Sequence, residues 1–252
     1  MKVSLIDFTG AGQKDPAAYA AAVIILAKST RLTMSPGLFD KILMLPNEEL
    51  LKELQYIANT IPSSWEFVNY TFMIEGVSRA FTHQFVRTRT ASYAQQTMRV
   101  LDVSSGPGWE YLTGPSIPST APENMDVWDE SKSLAATYHG TMSIIDTAYK
   151  SLIENGAKVE DARGLLPTNI LTNIMVSMNM RTLVEMVRKR SSPRTQGEYR
   201  AVLDGLKEAA FAAHPWLKLF VERDFDKAAQ ELDAKIAALD ITQEKQIGRA
   251  HV

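Results

Sequence analysis

Val68-Asn-Tyr-Thr-Phe-Met-Ile-Glu-Gly-Val-Ser-Arg-Ala-Phe-Thr-His-Gln-Phe85 changes its period midway. Over residues 68–75, Val68, Tyr70, Phe72 and Ile74 point one way. Asn69, Thr71, Met73 and Glu75 point the other, which is the alternation of a half-buried strand. After Gly76 the apolar residues Val77, Phe81 and Phe85 recur every four positions, the spacing of a helix. The chain then runs Phe85-Val-Arg-Thr-Arg-Thr-Ala-Ser-Tyr-Ala-Gln-Gln-Thr-Met-Arg99. That stretch has three arginines, two glutamines, three threonines and one serine, and no acidic residue. So many bidentate donors at the end of a buried element call for an anion, and a nucleotide phosphate meets that need.

Outward from this stretch the pattern is mixed. Residues 2–7 read as a short strand. Asp15-Pro16 caps and opens a helix to about Lys28. Ser35-Pro36 opens another, and Asn47 a third that ends near Asn59. Residues 99–103 and 109–113 read as strands around the turn at 104–108, and residues 113–124 as a Pro-rich loop. Leu134, Tyr138, Met142, Ile145, Tyr149 and Leu152 mark one face of a long helix stopped by Gly156. A short helix over 159–166 ends at Pro167, and 170–178 reads as a strand. Helices follow over 179–190 and 195–213. A last one is marked by Phe225, Leu232, Ile236 and Leu239, with a polar tail over 241–252. The expectation is a single α+β domain over 1–240, with about seven helices around a small, mostly antiparallel sheet.

Composition narrows the function classes. The chain has 252 residues and a net charge of −2, so wholesale binding to nucleic acid or to an anionic membrane is not expected. Single-strand nucleic-acid grooves interleave aromatics with cations, and Tyr93 is the only aromatic between Arg87 and Arg99. No apolar run reaches the ~18 residues of a membrane span, and no leader is evident, so a cytoplasmic protein is the default. Cysteine is absent, which removes disulfides, thiolate metal sites and cysteine nucleophiles. His83, His139, His214 and His251 form no metal-binding pair, and no metal is expected.

Two further clusters stand out. Glu160 and Arg163 share a helix face and can simply pair. Asn179 sits where a cap belongs, and Arg181 lies in the same first turn. A cation there opposes the helix dipole and points to an anion nearby.

Together these clusters resemble the flavin-dependent thymidylate synthases. That family carries Arg-His-Arg, seven residues, then Ser; here Arg87-Thr-Arg89, seven residues, then Thr97 stands in its place. Glu75-Gly-Val-Ser-Arg-Ala-Phe-Thr-His-Gln84 is similar to the family's approach to the signature. Arg163-Gly-Leu-Leu-Pro167, Asn179-Met-Arg181, Arg190 and Thr195-Gln-Gly-Glu198 resemble its later elements at matching spacing. The resemblance covers roughly residues 60–200.

It implies that Ser63, Arg87, Thr88, Arg89, Asn179, Arg181 and Glu185 contact FAD. It implies that Gln84, Arg87, Gln95, Thr97, Met98 (through its backbone), Arg99 and Arg163 hold a pyrimidine deoxynucleotide monophosphate. Arg190 matches the arginine that polarises the pyrimidine ring. Methylenetetrahydrofolate and NADPH are the implied co-substrates, and a homotetramer with sites between subunits is the implied assembly. The implied reaction is dUMP to dTMP, with reduced flavin supplying hydride.

The chain departs from the pattern at six places. The signature His is Thr88, the Ser is Thr97, an Asn-Glu pair is Ala94-Gln95, an Arg-Tyr pair is Arg99-Val100, a His is lost near Ile61, and a His or Asn is Glu185. These departures leave two alternatives beside the standard reaction: C5 hydroxymethylation of dUMP or dCMP, and a nucleotide- or flavin-binding protein without catalysis.

Overall fold

The structure is a computed structural model that describes residues 1–32, 34–102, 110–118, 134–190, 192 and 194–222. Four strands form one antiparallel sheet: β1 (Lys2–Phe8), β2 (Asn69–Ser78), β3 (Ala91–Gln95) and β4 (Leu171–Asn179), in the order β1-β2-β4-β3. The helices are α1 (Pro16–Lys28), α2 (Leu38–Leu43), α3 (Asn47–Ala58), α4 (Arg79–Phe85), α5 (Leu134–Glu154), α6 (Val159–Ala162), α7 (Met180–Arg190), α8 (Gly197–Ala213) and α9 (Lys218–Val221). The expected α+β architecture is observed.

One face of the sheet makes the core. Tyr70, Phe72 and Ile74 of β2 and Ile174, Val176 and Met178 of β4 are buried against Leu183 and Val187 of α7 and Val202 and Leu206 of α8. The alternation over 68–75 therefore reads correctly. The other face is open, with Ile6 at 59% and Met175 at 43% exposure. Helix α1 starts as expected: Asp15 accepts from the Ala18 amide at 2.9 Å, and Pro16 fills the first turn.

The switch at Gly76 is a bulge. The β2–β4 register shifts between Ile74 and Val77, Gly76 sits at φ 66°, and its amide donates to Asn173 Oδ1 at 3.0 Å. The positive φ suits glycine alone at low cost. The bulge lets β2 run on to Ser78 before α4 begins.

Several expectations need correction. The third strand is Ala91–Gln95, not residues 99–103, because Tyr93 packs its ring on Phe85 at 5.3 Å and pairs with Val176. At 109–113 the described residues hold only an isolated bridge, Tyr111 to Ile170. Helix α2 begins at Leu38 rather than Ser35, after Gly37 at φ 75°. On α5, Met142 and Tyr149 are buried as expected, but Leu134 and Leu152 of the same face are exposed at 66% and 40%. The turn at 104–108 and the helix through Phe225–Leu239 lie outside the described residues, as do the tail over 241–252 and the second half of the loop at 113–124.

A buried histidine fastens the two ends of the described fold. His214 Nε2 donates to the Thr9 carbonyl at 3.0 Å, so Nδ1 accepts from the Tyr70 hydroxyl at 2.8 Å. Trp216 stacks on the imidazole at 5.1 Å. Burial pushes His214 from 6.5 down to about 4. Below pH 6.5 the unfolded chain takes up a proton that the folded one refuses. Stability from this group is complete above 6.5 and is lost as pH falls toward 4, by on the order of 3 kcal/mol. Urea unfolding of wild type and His214→Phe between pH 7 and 4.5 checks this: the wild-type curve should carry the extra slope, and equal slopes would refute it.

Candidate functional site

Helix α4 carries the chain into the arginine stretch, and both of its ends are gripped from the start of α8. At the N-terminus, Ser78 is the cap: its Oγ accepts from the Phe81 amide at 3.1 Å. The Glu198 carboxylate takes the Ser78 amide at 2.7 Å and the Ser78 hydroxyl at 2.6 Å. At the C-terminus, Gln84 Nε2 donates to Gln196 Oε1 at 2.9 Å. The Thr195-Gln-Gly-Glu198 motif is thus a clamp on α4. Phe81 and Phe85 stack at 4.9 Å inside it.

The first turn of α4 opens onto a cavity of about 430 Å³ lined by Arg79, His83, Met98, Glu160 and Arg163, with the Gly164–Ile170 segment as one wall. Met98 and Arg163 were expected here; Arg79 and His83 were not singled out. Arg79 is half-buried, and its Nη1 is a buried donor with no hydrogen-bond partner. Burial and then the Arg163 charge lower its affinity for a proton. Two mutually repelling guanidiniums around one cavity make an anion receptor. Arg99 stands at the rim, paired with Glu160 at 3.3 Å. Arg163 donates to the Glu160 carbonyl rather than its carboxylate, so the expected i,i+3 ion pair is replaced by Arg99–Glu160. Arg79 carries the signal read at Arg181, a cation in a helix first turn, and could have been found by it.

Gln95 ends β3 and donates to Thr82 Oγ1 at 2.9 Å. Thr97 Oγ1 accepts from the Arg99 amide at 3.1 Å and shapes the turn that follows.

The loop Arg87-Thr88-Arg89 lies beside the first turn of α7. Thr182 Oγ1 donates to the Thr90 carbonyl at 3.3 Å, and Ala91 pairs with Met178. Arg87 and Arg89 are exposed and have no carboxylate partner among the described residues. Asn179 caps α7 by accepting from the Thr182 amide at 2.9 Å. Arg181 differs from expectation. Its Nη1 lies 2.6 Å from Glu66 and its Nε 3.0 Å from Glu185, and Glu185 also takes Lys189 at 3.1 Å. The cation in the first turn of α7 is therefore neutralised within the chain, so its position alone does not demand an external anion. Glu66 was missed because nothing in its local pattern marks it. Ser63 is exposed on the same 3₁₀ turn, Pro62–Phe67.

A dinucleotide cofactor fits this edge. Two unpaired guanidiniums match the two charges of a pyrophosphate, and Asn179 and the α7 turn stand alongside. Among the described residues no group of three His, Asp or Glu is placed to hold a metal, and no helix is long and apolar enough to cross a membrane.

Arg190 ends α7 away from the Arg79–Arg163 cavity. It lines a separate depression with Arg200, Asp204 and Lys207, and its Cζ lies 5.5 Å from the centre of the Tyr199 ring. Of the residues expected to hold a nucleotide, Met98 and Arg163 line the Arg79 cavity, and Arg190 lines a different depression.

The α+β fold sets guanidinium groups around a clamped helix, an arrangement whose charge and fork geometry suit anionic ligands. The chain belongs to the family described as thymidylate synthase complementing protein, whose sequence pattern matches residues 4–216. It is similar to the flavin-dependent thymidylate synthase of Nitratidesulfovibrio vulgaris, 36% identical over 165 residues, which is 61% of this chain and 62% of the relative. The flavin-dependent thymidylate synthase of Geobacter sulfurreducens is 35% identical over 139 residues, 54% of each chain. That of Sulfurisphaera tokodaii is 32% identical over 227 residues, 88% of this chain and 77% of the relative. The match spans less than two thirds of the first two relatives.

Removing the clamp has a measurable cost. Glu198→Ala strips two short charge-assisted bonds from the start of α4 and should destabilise the protein by about 2 kcal/mol. The midpoint of denaturant unfolding reads this; an unchanged midpoint would mean that the clamp is not structural.

Proposed function

We propose that this chain transfers a one-carbon unit from methylenetetrahydrofolate to C5 of deoxyuridine monophosphate, with FAD as cofactor and NADPH as reductant, to give thymidylate. The observation that carries this reading is the Arg79–Arg163 cavity, which meets the signature stretch at Met98 and Arg99. Arg79 and Arg163 hold the phosphate of the nucleotide, with Arg99 released from Glu160 to join them. Gln84, Arg87, Gln95 and Thr97, with the Met98 backbone, complete the nucleotide's contacts. Gln84 is already fixed by Gln196, and Gln95 by Thr82.

Arg87 and Arg89 take the cofactor's phosphates, and Ser63, Thr88, Asn179, Arg181 and Glu185 frame it. When bound, the flavin supplies the reducing equivalents as hydride. Arg190 stabilises negative charge developing on the N3/O4 side of the pyrimidine and raises electron density at C5. This route needs no thiol, in keeping with a chain that has no cysteine.

The assembly is a homotetramer with sites shared between subunits. Three features support it: Arg163 and Arg190 line separate depressions, α5 exposes Leu134, Ile144 and Leu152, and one face of the sheet is bare. The proposed domain spans residues 1–240, of which 223–240 lie outside those described. The phosphorylated substrates put the enzyme in the cytoplasm.

Incubation with dUMP or dCMP, FAD, methylenetetrahydrofolate and NADPH, followed by product mass, tests the reaction. Thymidylate supports it, and a hydroxymethyl nucleotide replaces it with C5 hydroxymethylation. Colourless protein that FAD cannot reconstitute overturns it in favour of a binding protein. Arg190→Ala should lower turnover on the order of 10²–10³-fold if it is the electrostatic group. Turnover at the wild-type rate would remove that role.

A further inference from the structure

The arginines of this protein are held in different ways. Arg181 is paired with two carboxylates and Arg99 with one. Arg190 is held by an aromatic ring. Its Cζ lies 5.5 Å from the centroid of Tyr199, which is buried in the first turn of α8, next to Glu198. Phe81 and Phe85 pack edge-on against the same ring at 5.2 and 6.0 Å, so the ring has little room to move. The Arg87–Arg89 loop is tied to the same aromatic cluster by Tyr93, whose ring packs on Phe85 at 5.3 Å and whose hydroxyl donates to the Thr88 and Phe85 carbonyls, each at 3.0 Å.

We propose that Tyr199 is a positioning residue whose ring, itself fixed by Phe81 and Phe85, seats the Arg190 guanidinium. The role rests on the reading of Arg190 given above. Its physical basis is that a guanidinium over a ring face is attracted without spending its charge or its in-plane N–H donors. A carboxylate partner would fix Arg190 equally well but would cancel the field it has to exert on a ligand. Burial raises the Tyr199 hydroxyl above its usual range despite the Arg190 charge, so the ring stays neutral at working pH.

Nuclear magnetic resonance of the ligand-free protein tests the seat without any turnover. The Arg190 Nε–H signal, assigned by its loss in Arg190→Lys, should be displaced by the ring current in wild type. It should stay displaced in Tyr199→Phe, which keeps the ring and the fold, and return to the free-arginine position in Tyr199→Leu. In turnover assays, Tyr199→Leu should lower kcat about tenfold, within reach of one cation–π contact, and leave the nucleotide KM within about twofold. Tyr199→Phe, which keeps the ring, should leave kcat within about twofold of wild type. An Arg190 signal indifferent to Tyr199→Leu overturns the seat. If no variant or wild type turns over dUMP, the functional reading fails while the resonance test still decides the seat.

Discussion

The bidentate grip of Glu198 on Ser78 is the constraint on which the site depends. A helix of seven residues has almost no stability of its own, and its leading amides have no partner within the helix. Here the amides of Arg79 and Ala80 are taken by the Ile170 and Thr168 carbonyls, and the cap is locked by a carboxylate from a distant helix. With its start fixed and its end tied through Gln84 to Gln196, α4 delivers Arg79 to one cavity and Arg87–Arg89 to another edge. A shift of the clamp would move both cation groups together.

The guanidinium groups divide by their partners, and the division follows from where each sits. On the open rim, Arg99 and Arg181 meet carboxylates in exposed pairs, each of which contributes about 0–1 kcal/mol. Their effect is to order side chains rather than to stabilise the fold. Inside the cavity, Arg79 Nη1 has no hydrogen-bond partner, Arg163 donates to the Glu160 carbonyl, and the repulsion between the two guanidiniums is what a bound anion would relieve. The chain thus keeps its uncompensated charge at the cavity and on the Arg87–Arg89 edge, and neutralises it at the α7 turn.

Much of the fold could be read along the chain because its longer elements bury one face each. The alternation from Val68 to Ile74 and the fourfold spacing of Phe81 and Phe85 record a single packing partner per element. Strand β3 escaped notice because Ala91, Tyr93 and Gln95 make a weak apolar face; it is Tyr93, reaching back to Phe85, that holds it. The inward face assigned to α5 was too broad because Leu134 and Leu152 have no core beneath them in one chain. At the site, the sequence marked most of the cationic residues but not their partners. Glu66 lies 115 positions from Arg181, and no local pattern reports a pair so distant. Arg79 was legible by the first-turn signal that was read at Arg181, since it follows the cap Ser78 directly.

The bond from His214 to the Thr9 carbonyl has a consequence for the order of assembly. β1 completes the sheet edge beside β2, yet it is also covered by α8 and tied down through His214, while Trp216 donates to the Ala17 carbonyl. The first structured residues therefore find their last partners about two hundred positions downstream. During synthesis the N-terminal strand has to wait until nearly the whole domain has left the ribosome, so the sheet edge closes late and on a slow, long-range contact. Until then β1 lacks its cover from α8, even though α1 can already pack on α2 and α3, and this interval is when the nascent chain has most need of a chaperone.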